Sequence, residues 1–129
     1  MNEPFFLTLD EVLKIHARSL AEHGGSDGIR EPGLVASALA SAENTFHYGR
    51  GDLFDIAATY AFHLAESQAF IDGNKRTAVV AAMVFLARNG VYAQPPKWGL
   101  YSAMIDVAEK KKTKADLAEI FRKCARPND

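Results

Sequence analysis

Five consecutive residues, Asp72-Gly73-Asn74-Lys75-Arg76, place an acid, a glycine, an amide and two cations between two helical stretches of the chain. A helix that begins near Asn74 would leave its first backbone N–H groups free, and with the positive end of the helix dipole these groups form an anion site. Lys75 and Arg76 would oppose that dipole, at a cost on the order of a few tenths of a kcal/mol. A bound phosphate group would offset this cost.

Asp72 lies beside the two cations and could hold Mg²⁺, which bridges nucleotide phosphates through one or two carboxylates. The same residues also fit a solvated turn, because Asp-Gly is a common turn pair and Lys-Arg is common at protein surfaces. The loop alone leaves both interpretations open. The GxxxxGK[ST] pattern of a Walker A loop is absent, and so are the spaced acidic ligands of an EF-hand.

Helical periodicity predicts six helices around this loop and no long strand, so the predicted fold class is all-α, a compact bundle. The fourth helix is apolar almost all round and is predicted to be the central, buried one. The first predicted helix begins at a capping box of Thr8 and Glu11 and ends at Gly24-Gly25, and the second spans 33 to about 44. The third spans 53 to about 67 with Asp52 as its N-cap, and the fourth begins at an Asn74 cap and ends at Asn89-Gly90. The fifth spans 101–110, and the sixth runs from 113 or 114 to 126.

Composition predicts a single soluble domain over residues 1–129, with 48% apolar and 24% charged residues. The 15 basic and 16 acidic residues nearly balance, which argues against a nucleic-acid or membrane-surface partner. One cysteine, Cys124, permits no internal disulfide and fits a reducing compartment. The first dozen residues lack the features of a signal peptide, and the apolar stretch 78–87 is too short to span a bilayer. We therefore expect a cytoplasmic protein.

The stretch AFIDGNKRTAVVAAMVFLARNG, residues 69–90, resembles the Fic/Doc (Fido) domain, whose core motif is His-x-Phe-x-Asp/Glu-Gly-Asn-Gly/Lys-Arg. Lys75-Arg76-Thr77 and the upstream stretch FLTLDEVLKIHARSLAEHGGSDGIREPGLVASALA are similar to the Doc, or death-on-curing, branch. Fic proteins tend to carry glycine in place of Lys75 and arginine in place of Val79. The resemblance covers roughly residues 5–92 and implies the Fido fold with a hairpin-like flap that aligns the target, for which residues 45–52 are the candidate.

The resemblance also implies a role for each motif residue. Phe70 would anchor the loop in the core, and Asp72 would bind Mg²⁺. Gly73-Asn74-Lys75 would present an anion hole to the phosphates of ATP, and Arg76 would contact them through its guanidinium group. Doc is a kinase toxin that phosphorylates a threonine of the translation elongation factor that delivers aminoacyl-tRNA, and the Phd antitoxin holds it in check. Fic proteins instead transfer AMP from ATP to a target hydroxyl.

Gln68 stands where the family's catalytic histidine should stand, two residues before Phe70. A glutamine amide has no useful basicity at neutral pH, and losing a general base typically costs about 10²–10⁴-fold in rate. The loss of a general base slows phosphoryl transfer less, because this reaction depends mainly on positioning and charge stabilisation. Gln68 could therefore still act by orienting the attacking hydroxyl. Three functions stay open: a Doc-like kinase toxin impaired by Gln68, an inactive Fido-fold module that binds nucleotide or protein, and an AMP transferase, which Lys75 and Val79 disfavour.

Three other features are predicted to be structural. His63 lies five residues before Gln68, about 140° away around a regular helix, so it would point elsewhere. The charged run 109–114 reads as a solvated junction between helices rather than an anion patch. Trp98, after a double proline, reads as a packing lid.

Overall fold

The computed structural model describes residues 3–93 and 99–127, which form six helices and two short strands. In chain order these are α1 (Leu9–His23), α2 (Pro32–His47), α3 (Leu53–Ser67), α4 (Asn74–Arg88), β1 (Val91–Ala93), α5 (Gly99–Ala108), α6 (Lys114–Cys124) and β2 (Ala125–Pro127). The strands pair antiparallel, with Val91 opposite Pro127. This architecture confirms the predicted all-α class. Trp98, predicted to be a packing lid, lies outside the described residues.

Capping residues fix where several helices begin. The Thr8 hydroxyl accepts a hydrogen bond from the Glu11 N–H (3.2 Å), and the Glu11 carboxylate accepts one from the Thr8 N–H (3.0 Å), which completes the predicted capping box of α1. Asp52 caps α3 in the same way through Asp55. Pro32 is the first residue of α2, where its missing N–H costs nothing. Local sequence therefore determines these starts.

The core is centred on α3, which packs against α2, α4 and α6. Its buried residues include Ile56, Tyr60 and Leu64. The prediction that α4 is the central, buried helix holds only in part, because α4 contacts α1, α3 and α5 but leaves one strip open, where Val80 is 41% exposed. The pair α3 and α4 forms the centre, and the loop between them carries the motif.

Residues 45–52 do not form the predicted flap. Helix α2 continues through His47, and the Gly51 N–H then donates to the Thr45 carbonyl (2.9 Å) in a turn that leads to Asp52. The Thr45 hydroxyl donates to the Ser41 carbonyl and contacts the Thr59 hydroxyl (2.9 Å), which ties this last turn of α2 to α3. The extended segment that pairs with the motif loop lies elsewhere, through a bridge between Ile29 and Phe70.

None of the helices in residues 3–93 and 99–127 combines the length and apolar character that a membrane span requires.

Candidate functional site

The loop between α3 and α4, residues 68–73, reverses the chain direction within six residues; we call it the motif loop. Gln68 ends α3 in the left-handed conformation (φ 51°) and is exposed. Phe70 returns into the core and is 1% exposed. Gly73 begins α4 as its N-cap, with a φ of 79° that favours glycine. The predicted anchoring role of Phe70 fits this burial.

Asn74 uses its side chain to close the motif loop rather than to cap α4. Its Oδ1 accepts a hydrogen bond from the Phe70 N–H (3.1 Å), and its Nδ2 donates to the Phe70 carbonyl (2.9 Å). The predicted N-cap was therefore one residue late, since Gly73 is the cap and Asn74 is the first helical residue. The backbone N–H of Asn74, which forms no hydrogen bond with any described residue, is available to a ligand.

The carboxylate of Asp72 is held by backbone N–H groups at the exposed surface of the loop. Its Oδ1 accepts from the Gly73 N–H (2.8 Å), and its Oδ2 accepts from the Ser26 N–H (3.2 Å). The Asp72 carbonyl oxygen meets Nε2 of His16 on α1 at 2.8 Å. These two N–H donors fix the direction of the carboxylate. Each of its oxygens keeps further lone pairs, which can bind a cation.

Residues 24–31, which we call the clamp segment, hold the motif loop from outside. The N–H groups of Arg30 and Glu31 both donate to the Ala69 carbonyl, at 2.7 and 3.0 Å. The Ile71 N–H donates to the Gly28 carbonyl (3.1 Å). The Arg30 guanidinium donates to the Gln68 carbonyl (2.6 Å). The motif loop is therefore backed by a second extended segment.

The first turn of α4 provides free donors and positive charge. Within residues 3–93 and 99–127, the backbone N–H groups of residues 74–76 have no hydrogen-bond acceptor. The side chains of Lys75, half-buried, and Arg76, exposed, form no ion pair with any described residue. The geometry thus has the elements of the predicted anion site.

These groups open into a cleft of about 370 Å³ between the motif loop and α5. It is lined by Ala65, Glu66, Gln68, Ile71, Asp72, Gly73, Asn74, Lys75, Arg76, Tyr101, Val107 and Ala108. The cleft therefore brings together Gln68 and the motif residues from Asp72 to Arg76. Phe70 lies beneath it in the core and does not line it.

Four polar residues that line the cleft or contact Asp72 were not predicted from the sequence. Glu66 and Tyr101 line the cleft. Their positions in the helical sequence pattern do not distinguish them from ordinary surface residues. His16 and Ser26 contact Asp72 from positions 56 and 46 residues away along the chain. Only the similarity of the upstream stretch to the Doc branch hinted that the segment carrying His16 and Ser26 belongs with the motif.

His63 lies outside this cleft lining, as predicted. It is half-buried, and its Nε2 lies 3.3 Å from the Lys114 ammonium group on α6. Burial lowers the pKa of His63, and the positive charge of Lys114 lowers it further. His63 is a contact between α3 and α6.

Comparison with known proteins adds a family and two relatives. The model of the Fic/DOC family matches residues 6–86. The chain is 35% identical over 83 residues to "Protein kinase doc" of Escherichia phage P1, covering 64% of this chain and 66% of that protein. It is 41% identical over 90 residues to "Toxin Doc" of Mycolicibacterium smegmatis, covering 67% of this chain and 65% of that protein. The matches span just under two thirds of the length of these relatives.

Proposed function

Since the chain belongs to the Fic/DOC family, with relatives in its Doc branch, we propose that it is a Doc-like toxin module that transfers the terminal phosphoryl group of ATP to a protein hydroxyl. The names of the two relatives, a kinase and a toxin, support this choice over AMP transfer. A translation elongation factor is the first target to test, and a Phd-like antitoxin is the proposed partner. A cytoplasmic location stays a prediction.

One observation carries the proposal: the cleft at the start of α4 combines N–H groups and two cations that have no partner among the described residues. The N–H groups of residues 74–76 lie at the N-terminus of α4, which is the positive end of the helix dipole, where phosphate oxygens bind favourably. Lys75 and Arg76 line the same cleft, and a guanidinium fork matches the geometry of a phosphate group. Such preorganised charge is the main protein contribution to phosphoryl transfer.

The residues present fit Mg²⁺ as the proposed cofactor. No group of three or more His, Cys, Asp or Glu side chains suited to a metal occurs in the described part of the chain, so a cage made by protein side chains alone is not available there. Mg²⁺ needs no such cage, because it binds through one or two carboxylates together with waters and substrate phosphates. Asp72 would supply that carboxylate, with its direction fixed by the N–H groups of Gly73 and Ser26. Mg²⁺ would neutralise charge that develops on the phosphates.

Gln68 would orient the attacking hydroxyl without removing its proton. The hydroxyl oxygen of the target would form a bond to the terminal phosphorus, the bond from that phosphorus to the bridging oxygen would break, and ADP would leave. The proton would pass to water, because an amide cannot take it up at neutral pH. Lys75 and Arg76 would stabilise the negative charge on the transferred group. We therefore propose transfer that is slower than with a histidine at this position.

A second candidate is a module that binds nucleotide or protein without transfer. The observation that favours it is Gln68 itself, which is exposed in the cleft where a proton acceptor is expected. AMP transfer is a third candidate, which Lys75 and Val79 disfavour.

Isotope transfer from ATP separates the three candidates. The chain and a Gln68→His variant are incubated with the elongation factor and with ATP labelled at either the α or the γ phosphorus. We expect the native chain to transfer a small amount of γ label to the target, and we expect the variant to transfer it at a rate about 10²-fold higher or more. Label from the α position would support AMP transfer instead. If the variant transfers label and the native chain transfers none, the native chain is a module that binds without transfer.

A further inference from the structure

We infer that His16, on α1, is a positioning residue that sets the direction of the Asp72 carboxylate. Its ring is 3% exposed and lies parallel to the ring of Phe70, with centroids 3.8 Å apart and 9° between the planes. Its Nε2 lies 2.8 Å from the carbonyl oxygen of Asp72. His16 therefore contacts the motif loop at two points, on either side of Ile71, whose side chain is 56% exposed.

The hydrogen bond fixes which ring nitrogen carries the hydrogen. A carbonyl oxygen only accepts, so the contact requires an N–H at Nε2 of His16. The donor is buried, and the Asp72 carbonyl faces inward toward it. A chain with phenylalanine at position 16 could keep the stacking on Phe70, but it would leave this carbonyl without its donor.

The peptide unit between Asp72 and Gly73 transmits the effect to the surface. A trans peptide is planar, and its carbonyl and N–H point in opposite directions. Because His16 holds the Asp72 carbonyl inward, the Gly73 N–H points outward, where it donates to Oδ1 of Asp72 at 2.8 Å. The Ser26 N–H holds Oδ2 from the other side at 3.2 Å. The orientation of the carboxylate thus follows from a contact 56 residues away in sequence.

Only one part of this inference rests on the proposed function: the effect of His16 on Mg²⁺-dependent nucleotide binding. Partners that orient a metal ligand commonly change metal affinity about 10- to 100-fold when they are removed. His16 would act in this way, through the loop and without touching the nucleotide. It is distinct from the motif residues 72–76, which line the cleft itself.

Two variants of His16 separate the hydrogen bond from the stacking. His16→Gln places an amide donor near the position of Nε2 and removes the ring, whereas His16→Phe keeps a ring and removes the donor. Tyr60→Phe is the matched control, because it removes a buried ring hydroxyl that accepts from the Leu7 N–H (3.0 Å). We expect Mg²⁺-dependent ATP affinity to fall about tenfold or more in His16→Phe. It should be largely restored in His16→Gln and unchanged in Tyr60→Phe.

Measurements without nucleotide test the inference independently of the proposed function. Imidazole nitrogen chemical shifts of the native chain should show hydrogen at Nε2 of His16. The Gly73 and Ser26 amides should exchange about two- to tenfold faster in His16→Phe than in Tyr60→Phe.

Three results would overturn it: an Nε2 without hydrogen, equal exchange in the two variants, or loss of Mg²⁺-dependent binding in His16→Gln as large as in His16→Phe. A native chain that binds no Mg²⁺-ATP would instead overturn the proposed function, and the chemical shifts and exchange rates would still decide on His16.

Discussion

At the residue scale, the motif loop depends on side chains that bond to backbone. Asn74 satisfies both polar backbone groups of Phe70, a residue with 1% exposure. Removing a partner from buried backbone groups costs about 1–3 kcal/mol, because water cannot replace the lost bond. The amide of Asn74 is therefore a structural part of the site.

We expect Asn74→Ala to lower the free energy of unfolding by about 2 kcal/mol. Urea unfolding followed by circular dichroism measures this. The matched control is Asn89→Ala, since Asn89 makes the same pair of bonds to the backbone of Phe5, at 2.9 and 3.1 Å. Its Nδ2 also donates to the Phe85 carbonyl (2.9 Å), but that carbonyl keeps the Asn89 N–H as a donor after the substitution (3.2 Å). Phe5 is 69% exposed, so water can take over its lost bonds and the cost should be smaller. Equal losses in the two variants would contradict this role of Asn74.

At the element scale, an ion pair between Glu11 and Arg88 joins α1 to α4. The Arg88 guanidinium lowers the pKa of Glu11 to about 2; burial opposes this effect, and the Thr8 N–H and hydroxyl add to it. A carboxyl group with a lowered pKa adds stability above its ordinary value of 4.5, and this stability is lost as the pH falls toward 2. The pair lies near the surface, so its contribution is about 1 kcal/mol or less.

Glu11→Gln tests this pair, because glutamine can keep the capping box with Thr8 and removes only the charge. We expect the native chain to exceed the variant by about 1 kcal/mol in free energy of unfolding near pH 7. The difference should shrink as the pH falls below 4.5. Glu22→Gln is the control, since Glu22 forms an exposed pair with Arg18 within α1. A difference that does not depend on pH would refute the assignment.

The clamp segment is the second element on which the site depends. Gly25 has a φ of 120°, and a Cβ there would lie 2.8 Å from Oδ2 of Asp72. We expect Gly25→Ala to lower the free energy of unfolding by more than about 1 kcal/mol and to displace the carboxylate. Gly33→Ala is the control, because its Cβ would meet nothing closer than 3.5 Å. Thermal unfolding compares them, and equal melting temperatures would argue against the clamp.

At the scale of the whole molecule, local signals predicted most of the helices. The capping boxes at Thr8 and Asp52 gave the starts of α1 and α3, and the glycine after His23 gave the end of α1. The match of the Fic/DOC family model over residues 6–86 confirms the resemblance carried by the motif. These features depend on residues a few positions apart, which a single sequence makes visible.

Contacts between distant segments could not be predicted in the same way. The pairing of Ile29 with Phe70 joins residues that no local pattern relates, and so does the contact of His16 with Asp72. The resemblance implied a flap, for which residues 45–52 were the candidate, yet α2 continues through His47 and Thr45 is tied to α3. The cleft depends on α5, whose approach to the motif loop is likewise set by packing rather than by local sequence.

The most direct test of the central claim is titration calorimetry of ATP with the native chain and with Asp72→Asn, each with and without Mg²⁺. Asparagine keeps the size of the side chain and removes its charge. We expect the native chain to bind ATP more tightly with Mg²⁺ than without it. The variant should lose about tenfold or more of the affinity measured with Mg²⁺ and little of that measured without it. Equal affinity of the two proteins in Mg²⁺, or no binding by the native chain, would contradict it.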